Sequence, residues 1–219
     1  MAEGLHWEWR GFGAVSARFV KQYCGLSHLF DLQTVDDLYL WIPGLQVNAK
    51  FRTGAEGGLK FKRIRKKEGE FEKWFENPEE LFDFPLDKRA WKTLSDMLLT
   101  VNLHLPDNPD GEISRQRAEK LLTDAGCKTV LVKKSREARL WEAPNGLIKT
   151  EWACISAPQP LISIGLENFT DEGSEELSDE SAREDLTAAI EFFDLKSEPM
   201  QAMNYIEAVE KWATGGLIL

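Results

Sequence analysis

Cysteine and histidine are scarce in this chain, at three each in 219 residues. Cys24, Cys127 and Cys154 lie far apart, with no Cys-x-x-Cys pair and no Cys/His cluster, so neither a disulfide framework nor a structural zinc site is signalled. An odd, sparse count suits a reducing compartment. The histidines offer no catalytic triad, and no serine or cysteine sits in a nucleophile-elbow pattern. No run of about 18 apolar residues occurs, so no membrane-crossing helix is expected. The opening segment MAEGLHWEWR lacks the basic and apolar regions of a signal peptide, and a cytoplasmic protein is expected. The glycine-rich stretch at 54–58 (GAEGG) lacks the Gly-Lys-Ser/Thr of a phosphate-binding loop and reads as a hairpin turn.

Positive charge is also in deficit. Lys and Arg number 27 against 37 Asp and Glu, a formal net charge of −10. Such a surface repels nucleic acids and anionic membranes. The basic run KRIRKK at 62–67 is the exception, but no aromatic pattern of a single-strand reader accompanies it. Nucleic acid and membrane are therefore not expected partners. An anion site in this chain has to be local and enclosed.

What is present is material for a core: 42% hydrophobic and 11% aromatic residues, enough for one domain over 1–219. Strands are expected over about 4–76 and 127–170, a helical insertion over about 86–126, and C-terminal helices over about 178–213. Leu5, Trp7 and Trp9 alternate with His6, Glu8 and Arg10, the period of a strand. Residues 16–24 read as a short helix capped by Ser16. Then follow VDDLYLWI, the Pro43-Gly44 turn, QVNAKFR, LKFKRIRKK and GEFEKWFE, a meander of antiparallel strands. Residues 86–100 and 113–125 have helical spacing, with Ser114 or the acidic residues before it as the second helix's cap and Gly126 as its stop. KTVLVKKSR, ARLWE, LIKTEWACIS and LISIGLENF read as further strands, and 181–193 and about 201–213 as amphipathic helices. The acidic, serine-rich stretch 171–181 reads as a solvated linker. The fold class is α+β with one dominant antiparallel sheet of about eight strands.

The polar faces of these strands are unusual. Val47, Ala49 and Phe51 alternate with Asn48, Lys50 and Arg52, and Leu59 and Phe61 alternate with Lys60 and Lys62. Lys134 shares a face with Arg136, and Glu8, Glu70, Glu72, Glu151 and Glu167 fall in strand-like segments. Two arrangements satisfy this pattern. The charged faces can look outward into water, the commonest fate of Lys and Glu. Alternatively they turn inward to line a hydrated barrel, with the apolar, tryptophan-rich faces packed outward against the helices. The eight tryptophans read as core and helix-packing residues.

The ordered series HWEWR, DDLYL, NAKFR, LKFK, VLVKKSR, TEWACIS and ISIGLEN resembles the CYTH domain family, also called triphosphate tunnel metalloenzymes. Asn204-Tyr205 in QAMNYIEAVEKW is similar to that family's late Ser-Tyr segment. The resemblance spans most of the chain. It implies an eight-stranded antiparallel β-barrel, or tunnel, with peripheral helices. It further implies a metal-dependent triphosphatase acting on an inorganic or organic triphosphate, with Mg²⁺ or Mn²⁺. Cyclase chemistry on ATP also occurs in the family. Seven cations then become anion-binding candidates, because a triphosphate carries about four charges and arginine matches its oxygens in pairs. Arg10, Lys50, Arg52, Lys60, Lys134 and Arg136 are assigned to substrate binding, and Lys62 joins Glu8 in the catalytic set. Glu8, Glu72, Glu151 and Glu167 are assigned to metal, which prefers oxygen ligands. His6 stands where the family has its first Glu, Arg10 replaces its Lys, and Gly165 replaces one Glu of the closing pair. Those departures support a second reading, a catalytically impaired binding module for polyphosphate or nucleotide. A third is an interaction protein with a solvated charged sheet and no ligand.

Overall fold

The computed structural model describes residues 4–26, 29–53, 57–106, 111–169 and 177–218. In chain order the strands are β1 (Gly4–Gly13), β2 (Leu29–Trp41), β3 (Val47–Arg52), β4 (Gly58–Glu68), β5 (Phe71–Glu76), β6 (Lys128–Glu142), β7 (Leu147–Ala157), β8 (Leu161–Phe169) and β9 (Met200–Ala202). The helices are α1 (Ala17–Cys24), α2 (Lys88–Leu99), α3 (Arg115–Asp124), α4 (Asp179–Phe192) and α5 (Tyr205–Ala213). None of these helices is long and apolar enough to cross a membrane.

The nine strands form one antiparallel sheet in the order β5-β4-β3-β2-β6-β7-β8-β1-β9, and β1 also pairs with β5. That last pairing, from Gly4↔Glu76 to Glu8↔Glu72, closes eight strands into a ring. Closure gives those strands a neighbour on both sides, which removes the free edges an open sheet would expose. β9 joins the far end of β1 at Gly11–Gly13.

Local chemistry accounts for the helix ends. Ser16, Asp87, Ser114 and Ser178 each place a side-chain oxygen on a backbone N–H of the first turn. Asn204 and Glu207 form a reciprocal capping box on α5. Gly126 follows α3 at φ +99, a conformation that suits glycine.

The apolar strand faces point outward, and helices cover them. Ala49, Phe51, Leu59 and Phe61 pack against Trp91, Leu94 and Leu98 of α2 and Ala118 and Leu122 of α3. Trp7, Trp9, Ile164 and Leu166 pack against Phe19 and Tyr23 of α1, Leu186 and Ile190 of α4, and Phe193 just after it. A third cluster lies within the ring at one end. There Phe12, Tyr39, Val132 and Ile155, on the same strand faces as the charged residues, meet Tyr205, Ala208 and Val209 of α5. The helix thus stoppers that end with an apolar floor.

Several expectations change. KTVLVKKSR and ARLWE are one continuous strand, β6, because the chain between them keeps its pairing with both β2 and β7. Residues 200–202 are strand rather than helix, and α5 starts only at Tyr205. Glu70 lies in the turn between β4 and β5 and accepts a hydrogen bond from Trp9 Nε1 at 2.8 Å. The expected turn at 54–58 falls largely outside the described residues, and so does most of the expected linker at 171–181; its last residues form the first turn of α4.

If the outer faces carry the core, Leu94→Ala removes a fully buried side chain and costs about 2–5 kcal/mol of unfolding free energy in urea. Leu32→Ala, on a side chain 65% exposed, stays within about 0.5 kcal/mol.

Candidate anion and metal site inside the ring

Alternation along each strand sends every second side chain to the interior, and ring closure brings those side chains together around a cavity of about 310 Å³. Arg10, Lys50, Arg52 and Lys60 line it, as do Lys62, Lys134, Arg136 and Lys149. Glu8, Glu76, Glu151 and Glu167 share the lining, and Asp37, fully buried, pairs with three of the cations. Among the described residues the cavity lining together with Asp37 therefore sets eight cations against five carboxylates. An excess of positive charge sits inside a chain whose net charge is −10. The inward arrangement is the one the chain adopts.

The deep end is built on Asp37. Arg52 donates to it through two nitrogens, Nε at 2.8 Å and Nη2 at 3.1 Å. Lys50 Nζ lies 3.5 Å and Lys134 Nζ 3.4 Å from Asp37 Oδ2. Burial alone would raise the carboxyl pKa, but Lys50, the Arg52 hydrogen bond and Lys134 together hold it well below the usual range. Burial pushes the Lys50 ammonium down, with the charges of Arg52 and Lys134 adding to it and Asp37 opposing. Lys134 also donates to Tyr205 Oη at 3.2 Å and lies 4.4 Å from that ring's centroid. Tyr205 stacks on Tyr39 at 5.2 Å.

Arg10 holds the middle. Its Nε donates to Glu8 Oε1 at 2.8 Å, and its Nη1 donates to Glu151 Oε1 at 2.9 Å and Ser163 Oγ at 3.1 Å. The guanidinium lies across Gly165, where an added Cβ would fall 2.5 Å from Nη2. Glycine at this position is thus the counterpart of arginine at position 10. Arg136 donates to the other oxygen of Glu151 at 3.1 Å and to Gln33 Oε1 at 2.6 Å. Burial opposes ionisation of Glu151, yet Arg10, Lys134 and Arg136 keep its pKa well below the carboxylate range. Lys62 Nζ donates to Glu8 Oε2 at 2.5 Å, stands 3.5 Å from Glu76 and lies 5.2 Å from the Trp74 ring centroid. Lys60 faces Lys50 across the β3–β4 pair.

His6 Nε2 lies 3.8 Å from Glu8 Oε2 and 3.7 Å from Glu167 Oε1. One ligand atom from each of these three residues falls within 4.8 Å of the others. Lys149 Nζ is 3.5 Å from the second oxygen of Glu167. Burial raises the Glu167 pKa, but His6, Lys149 and Lys62 outweigh it and bring the group down to about 2.

The candidates assigned from sequence thus separate. All six substrate-binding candidates and Lys62 line one cavity. Of the four metal candidates, only Glu8 and Glu167 meet, and they do so with His6. Glu151 is taken by Arg10 and Arg136. Glu72 pairs with Lys67 at 3.0 Å and accepts from Asn204 Nδ2 at 2.7 Å, beside the cap of α5. Trp74, read as core, lines the cavity. Asp37, Glu76 and Lys149 were not among the candidates, although Lys149 and Glu151 share the alternation of β7 and Asp37 and Tyr39 that of β2.

No family model and no curated protein matches the sequence. Among solved structures, a conserved hypothetical protein of Pyrococcus furiosus is similar, with a TM-score of 0.53 at 16% identity over 91% of this chain and 98% of that one. A Pyrococcus horikoshii protein gives 0.49 at 18% identity over 91% and 98%. A Bacillus halodurans protein provisionally described as an adenylate cyclase gives 0.45 at 14% identity over 94% and 98%. The first likeness shows a shared fold, and the two below 0.5 add no argument.

Asp37→Asn leaves three cations without their carboxylate, and about 3–5 kcal/mol of stability is lost at pH 7. The folded pKa of Asp37 lies below its unfolded value of about 3.9, so its contribution is full above about pH 5 and fades as pH falls. The gap in melting temperature between wild type and Asp37→Asn is expected to be flat from pH 5 to 7 and to narrow below about pH 4. A gap that widens on acidification would refute this account of the deep end.

Proposed function

We propose that the ring is a CYTH-like tunnel that binds a triphosphate-containing small molecule and hydrolyses a terminal phosphoanhydride with a divalent ion. One observation carries this reading: an enclosed cavity with an excess of cations, in an otherwise acidic chain. Two like charges 4 Å apart repel by about 4 kcal/mol at an effective dielectric of 20. A polyanion relieves that repulsion, whereas a neutral ligand does not. The ordered motif series supports the same assignment.

In this reading Lys50, Arg52 and Lys134 hold the deep end of the anion, and Lys60, Arg136 and Lys149 receive the rest. Arg10, fixed by Glu8, Glu151 and Ser163, presents its donors without having to be ordered on binding. His6, Glu8 and Glu167 have the donor types and spacing to hold one ion; Glu72 and Glu151 do not join them. An ion so bound neutralises phosphoryl charge and acidifies water. Lys62 stands beside that trio, placed to stabilise charge developing on a phosphoryl oxygen. The free thiols of Cys24, Cys127 and Cys154 support a reducing, cytoplasmic setting.

The binding-module reading also has its own observation. Arg10 and Lys62 already engage both oxygens of Glu8, so the carboxylate is neutralised without any ion.

Phosphate release from tripolyphosphate, ATP and thiamine triphosphate, with Mg²⁺, Mn²⁺, Co²⁺ or Zn²⁺, separates the two. Hydrolysis predicts turnover that drops about 100-fold or more in Glu8→Gln. A binding module gives no turnover, but its melting temperature rises with ligand, by about 2.7 kcal/mol of stabilisation at 100-fold above Kd. That rise is lost in Arg52→Ala, compared with the variant's own ligand-free value. Silence in both assays would refute both readings.

A further inference from the structure

β1 turns His6 and Glu8 to the same interior face, and its pairing with β8 sets Glu8 directly opposite Glu167. His6 Nε2 is shielded from solvent and has no hydrogen-bond partner. Its two nearest carboxylate oxygens, at 3.7 and 3.8 Å, are beyond hydrogen-bonding reach. A buried ring nitrogen thus lies within 4 Å of two carboxylates without hydrogen-bonding either, and the three ligand atoms fall within 4.8 Å of one another.

We infer that His6, Glu8 and Glu167 form a site for a single borderline transition ion of the Co²⁺ or Zn²⁺ class, and that the site discriminates against Mg²⁺. This deepens the function proposed above by naming its ion; the ion site itself stands without the triphosphate.

The donor chemistry decides the selectivity. Mg²⁺ prefers an octahedral shell of oxygens and gives up water reluctantly. Imidazole suits Zn²⁺ and its neighbours in the first-row series, Asp and Glu oxygens also ligate Zn²⁺, and catalytic zinc sites combine three protein ligands with an open position. Around an ion with bonds of about 2.0–2.2 Å, neighbouring donors stand about 3.0–3.5 Å apart. The observed nitrogen–oxygen separations close to that by a few tenths of an ångström of side-chain rotation. Lys62 Nζ must leave Glu8 Oε2 for the ion to enter, and Glu76 at 3.5 Å gives the ammonium another partner.

The remaining interior carboxylates set the number at one ion. Glu151 holds Arg10 and Arg136, and Asp37 holds Arg52, Lys50 and Lys134. Arg10 stands where a second ion between Glu8 and Glu151 would have to sit, and Gly165 leaves it the room.

The test uses full-length protein stripped of metal and titrated with Co²⁺ alone, read by visible d–d absorption. The expected result is one equivalent bound, displaced by Zn²⁺ and unmoved by about a 100-fold excess of Mg²⁺. His6→Asn is expected to weaken Co²⁺ binding by about 100-fold, and Glu167→Gln, a second variant in case the first misfolds, by at least tenfold. The inference is overturned if no Co²⁺ binds, if Mg²⁺ competes on equal terms, if two equivalents bind, or if folded His6→Asn retains wild-type affinity. Melting temperature with tripolyphosphate in metal-free buffer is measured in parallel. A retained rise with failed Co²⁺ binding sinks the ion site alone; intact Co²⁺ binding with no rise sinks the anion reading alone.

Discussion

The pairing of β1 with β5 is the constraint on which the rest of this molecule depends. Without it the sheet would be open and its charged face would look into water, where lysines and glutamates interact weakly. With it, eight strands deliver their polar residues to one enclosed volume. There the same side chains lose solvent and must answer to one another. Asp37, Glu8 and Glu151 each acquire at least two cationic partners, and their pKa values fall despite burial.

Closure also inverts the usual division of labour in a sheet. The hydrophobic face that would fill a barrel is here the outer surface, and it needs a second layer to cover it. The helices supply that layer: α2 and α3 over β3 and β4, α1 and α4 over β1 and β8. Trp7 and Trp9 belong to this outer core, while their neighbours Glu8 and Arg10 line the cavity and His6 stands beside Glu8. One strand thus serves stability on one side and chemistry on the other.

Much of this was legible in the sequence, for physical reasons that also set its limits. A period of two identifies a strand and sorts its residues into two faces, so the grouping of Lys50 with Arg52 and of Lys134 with Arg136 could be read directly. Caps such as Ser16 and Ser114 act through local hydrogen bonds and announce themselves. Which face looks inward is not local, since it depends on whether distant strands close. Height within the ring is not local either. Glu72 and Glu8 face each other in register, yet Glu72 is drawn to Lys67 and Asn204 while Glu8 meets Lys62 and Arg10. Trp74 looked like core because indole usually is; only the closed ring shows it beside Lys62. β9 is three residues long, too short to display any period.

The floor that α5 makes has a consequence for traffic. With Phe12, Tyr39 and Tyr205 packed across one end, that end of the ring is closed by apolar side chains. Any guest in the cavity would have to exchange with solvent by a route other than that end while α5 stays seated.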